Sequence, residues 1–193
     1  MPRPSLTSPG AGSSVAGVYR VALVGLVVLA GCAPAPALAP APVAAPGGAW
    51  ATDTNVAWAE LQRVLVGSWK ATTAENRSYL VSYRVVSNGS ALVETFTSGA
   101  TGKETLSVYH RDGGALVMTH YCAQGNQARL KATHATGESV VFAFLDATNV
   151  AAEQDVMQRL SIVMRPDGFD QVSVYRHPDG VLEAMTLRFY RAD

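Results

Sequence analysis

Asn88-Gly89 separates two runs in which apolar side chains recur at every second position, interrupted only by Glu94: Tyr79, Val81, Tyr83 and Val85 before it, Leu92, Glu94 and Phe96 after it. A period of two is the signature of a strand with one buried face. Asn-Gly supplies two residues that tolerate positive φ, as the tightest hairpin turn demands. With a two-residue turn, Ser87 pairs with Ser90, so Tyr83 faces Glu94 and Val81 faces Phe96. This stretch of chain is committed to an antiparallel hairpin, and the rest must extend it.

The same punctuation recurs to the C-terminus. Arg111-Asp112-Gly113-Gly114 joins expected strands at 104–110 and 116–122, and Thr136-Gly137 joins 127–134 to 139–145. Residues 147–155 read as a loop or helical turn. Pro166-Asp167-Gly168 and Pro178-Asp179-Gly180 separate the last three strands, 157–164, 169–176 and 181–191. Pro presets the first turn residue and Gly takes the left-handed position. Ahead of all this, residues 55–66 are expected to form a short helix capped by Asn55, with Trp58, Leu61 and Leu65 on one face. Gly67 ends it, and Ser68-Trp69 opens the first strand. About ten short strands in antiparallel order would expose two edges as an open sheet; a two-sheet sandwich removes them only in part. Closure removes them. The expected fold of residues 55–193 is therefore an antiparallel up-and-down β-barrel with a short N-terminal helix.

Residues 1–54 cannot belong to that core. An apolar run at 21–30 is about half the roughly 20 residues that a membrane-crossing helix needs and suits a cleaved signal instead. Arg3 and Arg20, the apolar run and then Leu29-Ala30-Gly31-Cys32 resemble a bacterial lipoprotein signal. The resemblance implies removal of residues 1–31 and acylation of Cys32. It also implies an envelope location, on the periplasmic side of the outer membrane in a cell with two membranes, because Ala33 and not aspartate follows the cysteine. Residues 32–54 then form a tether, with five prolines set mostly among alanines between 33 and 48, a composition that favours extended spacers.

Loss of Arg3 and Arg20 would leave 13 basic against 15 acidic residues, net −2. Without a concentrated basic face, nucleic acid is excluded as an expected partner. The expected partners are the membrane, through the anchor, and a small apolar ligand. Of two cysteines, acylation would consume Cys32, leaving Cys122 unable to form an internal disulfide.

Gly67-Ser68-Trp69, after a short helix and at the head of an up-and-down run, resembles the Gly-X-Trp opening of lipocalin-like (calycin) barrels. The resemblance implies that Trp69 packs across the closed end. Thr119-His120-Tyr121-Cys122, followed by Gly125-Asn126-Gln127 and Arg129, is similar to a segment of uncharacterised bacterial lipocalin-like proteins, which implies no known activity.

The candidate ligand-binding residues are Tyr83, Glu94, Phe96, His120 and Arg129. Glu94 interrupts an apolar stripe, where a carboxylate is costly unless hydrogen-bonded. Tyr83 opposite it could donate that bond. Glu94 then anchors a ligand or accepts a proton; alternatively it sits at the rim or meets Arg84 or Arg129. His120 and Cys122 share a strand face with Leu116 and Met118, which reads as a buried thiol beside a satisfied histidine. A two-residue turn at Asp112-Gly113 puts His110 on the opposite face, so no metal site is expected, and no cofactor. Arg129 either satisfies a turn or reaches into the barrel mouth as an anion contact. His134 and His177 lie next to turns and are expected to be solvated. No Gly-X-Ser-X-Gly elbow, His-Glu-X-X-His or phosphate loop occurs. The leading expectation is a lipid-tethered barrel binding a small apolar or amphipathic molecule. Its rivals are a barrel enzyme using Glu94, Tyr83 and His120 as acid–base groups, and a packed barrel acting through its outer surface.

Overall fold

The computed structural model describes residues 53–192. The expected signal, tether and Cys32 lie outside the described residues. One helix, α1 (Thr54–Leu65), precedes ten strands: β1 (Gly67–Thr72), β2 (Ser78–Val86), β3 (Ala91–Ser98), β4 (Glu104–Asp112), β5 (Ala115–Tyr121), β6 (Gln127–Ala135), β7 (Ser139–Thr148), β8 (Val156–Arg165), β9 (Gly168–Arg176) and β10 (Leu182–Arg191). Each strand pairs antiparallel with its neighbour in sequence. β1 then meets β10 through Trp69–Arg191 and Lys70–Tyr190, which closes the barrel. Closure leaves no free edge along most of the sheet, the physical demand that singled out this fold. Among the described residues no helix is long and apolar enough to cross a membrane.

The helix starts one residue earlier than expected. Asp53, not Asn55, is its cap: the Asp53 carboxylate accepts from the amides of Asn55 and Val56 at 3.1 and 3.0 Å. A carboxylate there satisfies otherwise unpaired amides and favours the positive end of the helix. Ala57, Trp58, Leu61 and Leu65 form the buried face. Thr54 bonds the Gly114 carbonyl at 3.1 Å, and Gln62 bonds that of Gly89 at 2.9 Å. The helix therefore lies across the end of the barrel that carries the β2–β3 and β4–β5 turns. Trp69 packs beneath it, its indole donating to the Leu65 carbonyl at 2.6 Å. The opposite end, formed by the β1–β2, β3–β4, β5–β6, β7–β8 and β9–β10 connections, is the mouth.

Inside, large side chains fill the barrel. Trp69, Tyr83, Tyr109, Phe142, Phe169 and Phe189 are all buried, and their rings meet mostly edge to face, as in Trp69–Phe169 at 5.2 Å between centroids. The Asn88-Gly89 hairpin has the expected register, Tyr83 opposite Glu94 and Val81 opposite Phe96. Asn88 (φ 53°) and Gly89 (φ 85°) take the left-handed conformation that this turn requires. The β4–β5 turn differs. Its central residues are Gly113-Gly114, because Asp112 pairs with Ala115, so every pair is displaced by two positions from a turn at Asp112-Gly113. An even displacement keeps each side chain on its face, and His110 still points away from His120.

Candidate functional site

One cross-strand rung carries most of the buried polar chemistry. Tyr83 on β2 pairs with Glu94 on β3, Glu94 with Ser107 on β4, Ser107 with His120 on β5 and His120 with Ala128 on β6. Consecutive partners in register point to the same side of a sheet, and here that side is the interior. Glu94, Ser107 and His120 are 3, 1 and 2% exposed. Tyr109 lies two residues along β4 from Ser107 and so shares its face.

These side chains form a continuous chain of hydrogen bonds. The Tyr109 hydroxyl donates to one Glu94 carboxylate oxygen, Oε2. Ser107 Oγ lies 3.5 Å from the other, Oε1, and 3.2 Å from His120 Nδ1. His120 Nε2 lies 3.4 Å from the Tyr175 hydroxyl of β9. Tyr83 stands against the carboxylate close enough to favour its ionised form, but without the alignment of the Tyr109 bond. Its hydroxyl is buried without a hydrogen-bond partner among the described residues, beside Glu94 and with its ring 6.4 Å from that of Tyr109. Burial drives the electrostatics. It pushes the Glu94 carboxyl above the usual carboxylate range, against the hydroxyls of Tyr109, Tyr83 and Ser107, which favour ionisation. It holds His120 down at about 4, so the imidazole is neutral in neutral solution. Tyr83 and Tyr109 are raised far beyond an ordinary phenol, first by burial and then by the neighbouring carboxylate.

A neutral imidazole between two hydroxyls has two arrangements, of which only the one with Nδ1–H as donor leaves the Ser107 proton for an ionised Glu94. Either Nδ1–H donates to Ser107 and Nε2 accepts from Tyr175, or both bonds reverse. Switching the tautomer reverses the polarity of Tyr175 at the outer end of the chain. Tyr175 lines a cavity of about 300 Å³ in the mouth, together with Lys103, Cys122, Ala123, Gln124, Asp155, His177, Glu183 and Met185. The buried carboxylate thus reaches the cavity through three intervening side chains rather than by lining it.

Several expected residues lie elsewhere. Arg129 does not reach the mouth: it stands on the outer face, half exposed, paired with Asp146 across the β6–β7 ladder. Neither Arg129 nor Arg84 meets Glu94, so the carboxylate is neither at the rim nor ion-paired. Phe96 faces inward between Tyr79 and Phe189, with centroids 5.6 and 6.4 Å away. Cys122 is half-buried rather than buried, because β5 ends at Tyr121 and the thiol belongs to the mouth wall. Its Sγ accepts from the Gln124 amide at 3.5 Å. His134 contacts the Ser139 hydroxyl at 3.0 Å.

His177 is no freely solvated turn residue. Its Nδ1 lies 2.6 Å from Asp155, at the end of the β7–β8 loop, and its Nε2 2.9 Å from Glu183 on β10. The hydrogen bond to Asp155 is the main reason its pKa stands above that of an ordinary histidine. Amides complete the lacing of the mouth. Gln124 donates to Asp155 at 3.0 Å, and Asn126 donates to both Gln154 and the Asp155 carbonyl.

Tyr109, Ser107, Tyr175 and the His177 clasp escaped sequence reasoning. Thr105, Ser107 and Tyr109 alternate visibly along β4, but residues 99–103 form a connection too long to fix the β3–β4 register. Tyr175 meets His120 only because the barrel closes. Among the described residues no three His, Cys, Asp or Glu side chains are placed to hold a metal ion. No protein-family model matches the chain, and no curated protein matches its sequence.

Proposed function

We propose that this chain is an envelope lipoprotein, tethered through Cys32, whose lipocalin-like barrel binds a small amphipathic molecule at its mouth. The observation that carries the binding half is the cavity of about 300 Å³ in which Tyr175, Met185 and Ala123 offer apolar surface beside a few polar groups. That volume is at the lower bound for small-molecule sites, and such sites combine mostly apolar walls with few orienting polar groups. The interior below is filled by aromatic side chains, so the ligand sits on Tyr175 and does not enter the lumen. Its polar end hydrogen-bonds the Tyr175 hydroxyl, and Glu94 and His120 set the polarity of that hydroxyl from behind. Contact with Glu94 or Tyr83 is not required.

The test uses the neutral fluorescent probe N-phenyl-1-naphthylamine. Saturable binding to the purified protein is expected, with slower alkylation of Cys122 when the probe is bound. Met185→Glu places a charge in the apolar wall and should weaken binding at least tenfold, while the far-ultraviolet circular dichroism stays unchanged. Binding that does not saturate, or that Met185→Glu leaves intact, overturns the mouth as the site.

A further inference from the structure

At the helix end, away from the mouth, a second cavity of about 430 Å³ is lined by Arg63, Val64, Trp69, Arg165, Pro166, Asp167, Gly168 and Arg191. Three arginines line it from three elements: Arg63 in the last turn of α1, Arg165 at the end of β8 and Arg191 at the end of β10. We infer that this cavity is a binding site for a phosphate-bearing group.

The argument begins with the donors each arginine leaves unused. Arg63 commits Nε and Nη2 to Glu60, at 2.9 and 2.6 Å. Arg165 commits Nε and Nη2 to Asp170, both at 2.8 Å. Arg191 commits Nη1 to the Val66 carbonyl at 2.8 Å. Nη1 of Arg63, Nη1 of Arg165, and Nε and Nη2 of Arg191 have no acceptor among the described residues. Glu60 and Asp170 act as braces: each holds one edge of a guanidinium and leaves another edge available.

Charge points the same way. Arg191 has no carboxylate partner among the described residues; its guanidinium lies over the Trp69 ring, 3.9 Å from the centroid. The single carboxylate of the lining, Asp167, is turned to Arg188 at 2.5 Å. With the carboxylates that brace them included, the guanidiniums of Arg63, Arg165, Arg188 and Arg191 meet three carboxylates, Glu60, Asp167 and Asp170, and Arg191 supplies the unbalanced positive charge. An anion bound beside Arg191 supplies the counter-charge that the protein itself does not.

Geometry chooses phosphate over carboxylate. A carboxylate is planar and presents two oxygens, which one guanidinium fork satisfies. A phosphoryl group presents oxygens in three or four directions and matches donors arriving from three elements. The cavity exceeds what a bare phosphate fills, and Val64, Pro166 and the Trp69 ring provide apolar surface for the group that carries it. The chemistry suits a soluble phosphate ester and a phospholipid headgroup equally.

Calorimetric titration of the purified full chain with inorganic phosphate, and separately with monomeric dihexanoylphosphatidylglycerol, tests the site and separates these sources. Saturable binding of phosphate alone supports a soluble phosphate ester; saturable binding of the lipid, with or without phosphate, supports a headgroup. Arg191→Gln should weaken binding by about tenfold or more, the usual worth of a hydrogen bond to a charged group. Asp167→Asn should tighten it. The Arg63 side chain is 70% exposed, so Arg63→Gln provides a reading in a folded protein if Arg191→Gln unfolds. Absence of saturable binding by both probes overturns the inference. Equal affinities in wild type, Arg63→Gln and Asp167→Asn overturn it as well.

Discussion

Glu94 and His120 are linked through one serine hydroxyl, yet burial moves their proton affinities in opposite directions. His120 is depressed from 6.5 to about 4 in the fold. The unfolded chain binds its proton more tightly, so the stability from a neutral His120 is fully present above 6.5 and is lost as the pH falls toward 4. That loss amounts to about 3 kcal/mol. Glu94 is raised above its unfolded value of 4.5. The folded protein therefore holds that proton more tightly, and stability is lost as the pH rises from 4.5 through the folded pKa. In mildly acidic solution the two effects oppose each other. Glu94→Gln keeps an acceptor for Tyr109 and removes only the cost of the buried charge. It should raise stability at neutral pH by about 1–3 kcal/mol and make the loss on acidification steeper. Urea midpoints measured across the pH range check this; equal pH slopes in variant and wild type would refute it. The two tyrosines give a sharper contrast at fixed pH. Tyr109→Phe removes the donor to Glu94 and should cost about 1.5–3 kcal/mol, whereas Tyr83→Phe deletes an unpaired buried hydroxyl and should cost nothing or stabilise. Denaturant melts in which Tyr83→Phe is the costlier change would return the carboxylate to Tyr83.

Among the elements, what the sequence makes legible tracks the length of each connection. Asn88-Gly89 allows one geometry, so the Tyr83–Glu94 and Val81–Phe96 pairs follow from it. Arg111-Asp112-Gly113-Gly114 offers two candidate two-residue turns; the structure uses Gly113-Gly114, with Gly113 at φ 57°. The five residues between β3 and β4 fix no register, and Tyr109 is consequently invisible as the partner of Glu94. For Arg129 the signal was present and outweighed: Ala128 and Leu130 flank it and are both fully buried, so alternation alone turns its side chain outward. The His177 clasp is unreadable for a different reason. Glu183 is a local neighbour across the Pro178-Asp179-Gly180 turn, but Asp155 comes from the β7–β8 loop and meets His177 only in the folded barrel. Because Asp155 and Glu183 raise its pKa, the clasp contributes stability that is fully present below 6.5 and lost as the pH rises through the folded value. Proton NMR titration should place the His177 midpoint above 6.5, and Asp155→Asn should bring it back toward 6.5. A wild-type midpoint at or below 6.5 would mean that the clasp is open in solution.

At the scale of the whole molecule, the two cavities lie at opposite ends of a solid barrel. The mouth is laced by amides and by a histidine held between two carboxylates; the helix end is lined by arginines. Buried aromatic side chains stand between them, so occupation of one should leave affinity at the other unchanged. The chain enters the described fold at the helix end, through the Asp53 amide bonded to the Ala135 carbonyl at 3.1 Å. What precedes it bears on where the protein works. The proposed acylation at Cys32 would place two or three chains on one residue, and anchoring of that kind is stable where a single chain binds reversibly. Cys32→Ser should therefore abolish incorporation of labelled palmitate and move the protein from the membrane fraction to the soluble fraction. The barrel should be unaffected: its core depends on no disulfide, since Cys122 is a free thiol, and the thermal melt of the released protein should match that of the anchored form in detergent. Palmitate label retained on Cys32→Ser would place the lipid elsewhere. Membrane attachment retained without label would mean that the protein is held by its surface, and the arginine-lined cavity at the helix end would then be the first place to mutate.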